Sequence, residues 1–307
     1  SGQVTFQRPV LGHRAMAVFT GQGSFHLDPA IQIEQDHVES VTGKKAIDED
    51  FDSALLVFSD STYEDVKKAG EAVEPNPESA RVFDDILKKL RKRDDENLEA
   101  QVLSELYNPG RAGSFCAFMH GKKHADLRFL IRPGGAIPEI SPKEVAVLQE
   151  EPDTEDAGIW YLSHRLDEWL KHTASPDEEK RIVESERYKI ETTIDRHDHL
   201  HSVAEVRFKA LVNGDRLIPF GLLSALRVSE VSLEGKDISF VQEGRKQDGS
   251  FYAVLPEAAV ASREYTLRIE YAGDRVLNNA GGGTFSVGAR KSWYPSLNAF
   301  HDRAIYD

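Results

Sequence analysis

From Tyr188 onward the apolar positions fall on every second residue. Tyr188, Ile190, Thr192 and Ile194 alternate with Lys189, Glu191, Thr193 and Asp195, and Ala204, Val206, Phe208 and Ala210 alternate with Glu205, Arg207 and Lys209. Successive side chains of a strand point to opposite faces, so this pattern predicts strands with one face in a core and the other in water. Phe251, Ala253 and Leu255 repeat it, as do Tyr265, Leu267, Ile269 and Tyr271 against Thr266, Arg268 and Glu270. Turn residues stand between these runs at Asn213-Gly214, Glu234-Gly235 and Gln247-Asp248-Gly249. Short strands at this spacing predict an antiparallel β-sandwich, a saddle-like pair of sheets, over 185–307.

Earlier in the chain the periods mix. Ala15 to Phe19 and Ser24 to Leu27 read as short strands around a turn at Gly21-Gln22-Gly23. Ala54 to Phe58 is a continuous apolar run, the pattern of a strand covered on both faces, and Ser59-Asp60-Ser61 follows as a turn. Asn76 before Pro77 predicts a helix start, continued by Val82, Phe83, Ile86, Leu87 and Leu90 at helical spacing. The other face carries Lys88, Lys89, Arg91, Lys92 and Arg93 beside Asp84, Asp85, Asp94, Asp95 and Glu96, which reads as a solvated face and not a phosphate site. Leu98, Val102, Leu103 and Leu106 predict a second helix ending at Asn108-Pro109-Gly110, and strands resume at Phe115–Met119 and Arg128–Ile131. Between Gln149 and Glu186, acidic Pro-containing runs bracket one apolar strand, Ile159 to Leu162. The expected organisation is therefore mainly β in two domains. An α+β, β-rich accessory domain covers 1–175 with a helical insert at about 77–107, and the antiparallel sandwich covers 185–307.

Charge and composition narrow the function classes. Lys plus Arg number 38 against 52 Asp plus Glu in 307 residues, a net charge of −14, and such a field repels phosphate backbones; nucleic acid is not the expected partner. No apolar run reaches the roughly 18–20 residues of a membrane-spanning helix. The first residues are Ser1-Gly2-Gln3 and not Met, which leaves periplasmic, secreted and cytoplasmic settings all open. The single cysteine, Cys116, sits in Phe115-Cys116-Ala117-Phe118-Met119, so it forms no internal disulfide, and its apolar setting keeps the thiol protonated.

Candidate chemistry is sparse. In Asp195-Arg196-His197-Asp198-His199-Leu200-His201 the three imidazoles would share one face of a strand and could converge on a metal. The segment lies between two alternating strands, however, where an exposed hairpin turn scatters them, and that reading is preferred. His13, His26, His37, His120, His124, His164, His172 and His301 read as isolated. Gly281-Gly282-Gly283-Thr284 lacks the Gly-Lys-Ser/Thr ending of a phosphate loop and precedes a strand-like stretch, so it reads as a plain loop. No Gly-x-Ser-x-Gly elbow occurs, and the paired acids sit on a solvated helix where nothing would make one a general acid.

A succession of blocks in the last part resembles a known family. Ile190-Glu191-Thr192-Thr193-Ile194, Gly214-Asp215-Arg216-Leu217-Ile218-Pro219-Phe220, Leu226-Arg227-Val228, and Gly235-Lys236 leading to Phe240-Val241-Gln242-Glu243 are similar in order to the N-terminal β-domain of bacterial aminopeptidase N (membrane alanyl aminopeptidase) zinc metallopeptidases. Tyr265 to Gly273, then Ala289-Arg290-Lys291-Ser292-Trp293-Tyr294-Pro295 and Asp302 to Asp307, continue the resemblance. Phe19 to Phe25 and Phe58 to Thr62 are similar to an extra N-terminal region of some environmental bacterial members. The resemblance implies zinc in the full-length parent, a peptide substrate and a catalytic domain downstream. Members use a Gly-x-Met-Glu-Asn loop and a His-Glu-x-x-His helix, and neither string occurs here; Met16 and Met119 stand in unrelated contexts. No catalytic, cofactor-binding or metal residue of the family therefore maps onto this chain, and no cofactor is expected in it. The expected function is a non-catalytic scaffold and substrate-cleft wall, a fragment of a longer peptidase inactive by itself. The alternative is a self-contained β-sandwich module that binds a protein or glycan.

Overall fold

The computed structural model describes residues 1–90, 98–107, 113–137, 141–151, 157–174, 181–242, 249–287, 292–297 and 303–307. The chain is mainly β and divides into two compact units, one of Ser1–Lys92 and Arg111–Lys180, the other of Arg93–Gly110 and Arg181–Asp307.

The first unit is built on a seven-stranded antiparallel sheet in which spatial order equals chain order. Its strands are β1 (Gly2–Phe6), β2 (Met16–Leu27), β3 (Ile47–Phe58), β4 (Phe115–Gly121), β5 (Asp126–Ile131), β6 (Val145–Gln149) and β7 (Gly158–Ser163). Four helices, α1 (Gln32–Thr42), α2 (Thr62–Ala69), α3 (Glu78–Leu90) and α5 (Leu166–Leu170), belong to this unit, and α4 (Leu98–Tyr107) to the second. The apolar run of β3 is covered on both faces: Ala54, Leu55, Val57 and Phe58 are buried. One face packs Ala54, Met119, Leu127, Val147 and Trp160 against Val38 of α1; on β3, Phe58 meets Phe6 edge-on. Asn76 caps α3, its Oδ1 accepting from the Glu78 amide at 3.0 Å, as the Asn-Pro pair predicts. Cys116 is buried in β4. Lys88 is exposed on α3, while Arg91, Lys92, Arg93, the acids after them and the Asn108-Pro109-Gly110 stop lie outside the described residues.

Two expectations are corrected here. Gly21-Gln22-Gly23 makes no turn, because β2 runs through it as one strand, with a bulge where its pairing to β3 skips from Thr20 to Gly23. A side chain on Gly21 (φ +139°) would meet the Gly2 backbone of β1 at 2.4 Å, and one on Gly23 the Phe51 ring at 2.5 Å. The glycines serve close approach within a sheet and not chain reversal. Helix is also not confined to 77–107. Helix α1 buries only Val38 and α2 buries nothing, so neither carries a hydrophobic stripe that a sequence reading could find.

In the second unit a six-stranded sheet runs β12 (Lys236–Asp237), β11 (Leu226–Leu233), β15 (Glu264–Gly273), β9 (Leu200–Ala210), β8 (Val183–Ile194), β18 (Ile305–Tyr306). A three-stranded sheet runs β10 (Leu217–Phe220), β14 (Phe251–Val254), β13 (Phe240–Gln242), and β16 (Asn278–Gly281) pairs with β17 (Thr284–Ser286) as a hairpin. Both larger sheets feed one core: Val206, Phe208, Leu267 and Ile269 from one, Ile218, Phe220, Phe251 and Ala253 from the other. The period of two holds along β9, where every even residue from Leu200 to Ala210 is inward and buried. On β8 it fades. Val183, Ser185 and Tyr188 are buried across a bulge at Glu186, but Ile194, the last residue of β8 before the turn into β9, is 43% exposed. Glu234 (φ +50°) and Gly235 (φ +80°) form the two-residue hairpin turn between β11 and β12. Gly281, Gly282 and Gly283, all at positive φ, turn β16 into β17, a loop as expected. The Gln247-Asp248 turn lies outside the described residues. Helix α4 reaches β10, and the Arg216 guanidinium lies over the Tyr107 ring at 4.6 Å.

Candidate functional site

The three-histidine segment is a tight hairpin turn between β8 and β9. The Asp195 amide donates to the His199 carbonyl at 3.1 Å, and Asp198 takes a left-handed φ of +62°. Asp195 Oδ1 accepts from the His199 and His197 amides, at 3.0 and 2.8 Å, and these bonds hold its carboxyl below the usual range. The imidazoles then part. His199 Nδ1 meets Asp274 Oδ1 at 2.7 Å, and His201 Nε2 meets Glu270 Oε1 at 3.1 Å. Hydrogen bonds from His201 and Arg268 lower the Glu270 carboxyl. His199 and His201 pair with different carboxylates, and His197, His199 and His201 do not form a ligand set.

The aromatic segment expected near 293–306 forms an edge to the larger sheet. Strand β18 lies parallel to β8, with the Asp307 amide donating to the Tyr188 carbonyl at 2.9 Å and the Ile190 amide to the Asp307 carbonyl at 3.1 Å. Tyr306 stacks on Tyr188 with centroids 5.1 Å apart and planes 6° from parallel. Tyr294 meets both rings edge-on, at 5.5 and 5.7 Å, and Trp293 meets Tyr294 at 5.5 Å. Tyr188 is buried and its hydroxyl accepts from the Leu297 amide at 3.2 Å; Arg187 pairs with the Asp307 carboxylate. Trp293 and Tyr294 pack on the core, whereas Ile305 and Tyr306 are 62% and 53% exposed. Phe300, His301, Asp302 and the block Ala289-Arg290-Lys291 lie outside the described residues.

The first unit carries an open depression of about 510 Å³ lined by Asp60, Gly113, Ile131, Val145, Arg165, Leu166 and Asp167. Arg165 faces Asp167 there at 3.5 Å, an exposed ion pair. Three histidines read as isolated hold carboxylates instead: His26 on Asp48 at 2.6 Å, His120 on Asp126 at 3.0 Å and His164 on Glu144 at 2.9 Å. Around the last pair, donor atoms of Glu144, His164 and Glu168 lie within 4.8 Å of one another, the one such group of three among the described residues. The sequence pattern does not show it, because Glu144 lies twenty residues before His164. The signal was the register: Val145 faces Ser163, which sets Glu144 opposite His164 one step beyond the paired strands.

No model of a known protein family matches the chain, and no curated protein does. Among solved structures, the M1 zinc metallopeptidase from Deinococcus radiodurans is similar over 41% of this chain and 31% of its own, with 20% identity and a TM-score of 0.34. Yeast LTA4 hydrolase in complex with bestatin is similar over 46% of this chain and 26% of its own, with 14% identity and a TM-score of 0.36. The chain thus spans less than a third of either protein.

Proposed function

We propose that residues 185–307 are the N-terminal β-domain of an aminopeptidase N-like zinc metallopeptidase, preceded by an accessory domain over 1–175. In this role the domain is a non-catalytic scaffold and one wall of a cleft where a downstream zinc domain hydrolyses peptides. The observation that supports it most is the placement of the quoted sequence blocks. Ile190–Ile194 ends β8, Leu217–Phe220 is β10, Leu226–Val228 opens β11, Phe240–Gln242 is β13 and Tyr265–Gly273 fills β15. Blocks matched only by their order in sequence thus each occupy a strand of one unit around one core.

The zinc of such a parent does not fit this chain. The chain has no His-Glu-x-x-His string, and the histidine turn sends its rings to separate carboxylates. No catalytic step is therefore assigned to these residues, and zinc chemistry belongs to the parent. The test compares the chain with the product of its full open reading frame on aminoacyl-p-nitroanilides. Hydrolysis by the longer product and none by this chain is the expected result. A reading frame without a downstream His-Glu-x-x-His segment refutes the proposal and leaves the alternative, a binding module for a protein or glycan.

A further inference from the structure

We propose that Glu144, His164 and Glu168 form a site for one transition-metal dication of the zinc or manganese type, which clamps helix α5 to the end of the β6–β7 pair. Three observations carry it. The first is geometry. The three donor atoms lie within 4.8 Å of one another, and ligands on an ion with bonds of about 2.0–2.2 Å are themselves roughly 3–4.4 Å apart. Modest side-chain closure brings all three onto one ion.

The second is the scaffold. Glu144 precedes β6 and His164 follows β7, opposed by the sheet register, so two donors sit on adjacent strand ends. Glu144 is 3% exposed and the His164 side chain 15% exposed, while Glu168 is only partly covered. The site is thus walled on the sheet side and open on the helix side, where water would complete the coordination. One imidazole with two carboxylates suits zinc, manganese, cobalt or ferrous iron, and an all-oxygen preference such as that of calcium or magnesium is served less well. Two carboxylates also balance the charge of the dication.

The third concerns α5 itself. This five-residue helix buries no residue, has no side-chain cap at Arg165, and exposes Leu166, Trp169 and Leu170 at 50%, 46% and 62%. Apolar packing therefore does not explain why the helix holds its place, and a helix this short is not stable by itself. Ligation through Glu168, four residues after His164, supplies the missing attachment. In the metal-free chain the His164–Glu144 hydrogen bond of 2.9 Å already joins the two strand ends.

The experiment uses the full chain, stripped with chelator and dialysed, then titrated with Co²⁺ by visible absorption and with Zn²⁺ by calorimetry. One saturable equivalent is expected. His164→Ala should weaken it by more than about a hundredfold, since loss of even an outer-shell partner costs about 10- to 100-fold. Because His164→Ala also removes the hydrogen bond to Glu144 at the strand ends, Glu168→Gln is the second variant. It should keep the metal-free circular dichroism and thermal midpoint, lose affinity, and lose the metal-dependent rise in midpoint shown by the unmodified chain. Absence of a saturable equivalent overturns the proposal. So does an equivalent that survives both variants, or one abolished by His199→Ala, which would place the ion at the histidine turn.

Discussion

Replacing Tyr306 by Ala should loosen the β18 strap without unfolding the unit. The ring stacks face to face on Tyr188 and touches Tyr294 edge-on, contacts worth about 0.5–1.5 kcal/mol each. Because Tyr306 is 53% exposed, its burial adds only about 1 kcal/mol, half or less of a fully buried aromatic. The loss is therefore about 2–4 kcal/mol, and it falls on two backbone bonds, Asp307 to Tyr188 and Ile190 to Asp307. The Arg187–Asp307 pair is half exposed and adds little. At about 1.4 kcal/mol per decade, the Asp307 and Ile190 amides should exchange roughly 30- to 700-fold faster, while amides of β9 and β15 stay as they were. Tyr306→Phe keeps both ring contacts and should lose only the 3.2 Å hydroxyl contact to Tyr294, a small effect. Hydrogen exchange read residue by residue decides. Equal exchange in Tyr306→Ala and the parent, or equal acceleration in the Phe and Ala variants, refutes the claim that ring stacking holds the strap. The same measurement on a longer product tests the proposed function, since a catalytic domain seated on Ile305 and Tyr306 should add protection there.

Further outcomes follow from single contacts. Glu49, 2% exposed, accepts the Lys123 and His124 amides at 2.7 and 3.0 Å; at about 1.5–3 kcal/mol for each bond to a charged group, Glu49→Ala should cost about 3 kcal/mol or more in urea unfolding followed by Trp160 fluorescence. Phe208→Ala empties a fully buried position stacked on Tyr265 and should cost about 3–5 kcal/mol, read from the unfolding transition of the second unit by hydrogen exchange of β9 and β15. Burial raises the Asp126 carboxyl, but the Lys89 ammonium at 2.8 Å and His120 together outweigh it, so the carboxyl lies below its ordinary range. A carboxyl depressed in the folded state contributes stability that is complete above its unfolded value of about 3.9 and is lost as pH falls through the folded value. Lys89→Met should therefore flatten that acid limb of the thermal midpoint against pH, and an unchanged limb would show that the pair contributes nothing.

What could be read in advance depended on whether the cause was local. The β9 and β15 alternation was legible because each strand lies between two partners and faces a core on one side only, so burial follows the parity of the residue number. The Asn76 cap was legible because its donor lies two residues away. Gly21 misled because glycine answers equally to a reversal and to a neighbouring backbone at 2.4 Å, and only the pairing with β1 tells them apart. The Glu144–His164 pair needed the register of β6 on β7, which no single segment contains. Helix α5 was invisible because its apolar residues point to water.

The order of strands in the two sheets sets different tasks for the folding chain. In the first unit each strand finds its neighbour next along the chain, with α1 between β2 and β3 and a long connection between β3 and β4, so most of that sheet can zip up while the rest is still being made. In the larger sheet of the second unit, β15 must insert between β11 and β9, and β18 reaches back to β8 across more than a hundred residues. Until residues 264–273 arrive, both β9 and β11 present open edges to solvent. The second unit is therefore the slower to form and the one that most needs its unpaired strands kept apart from other chains during synthesis.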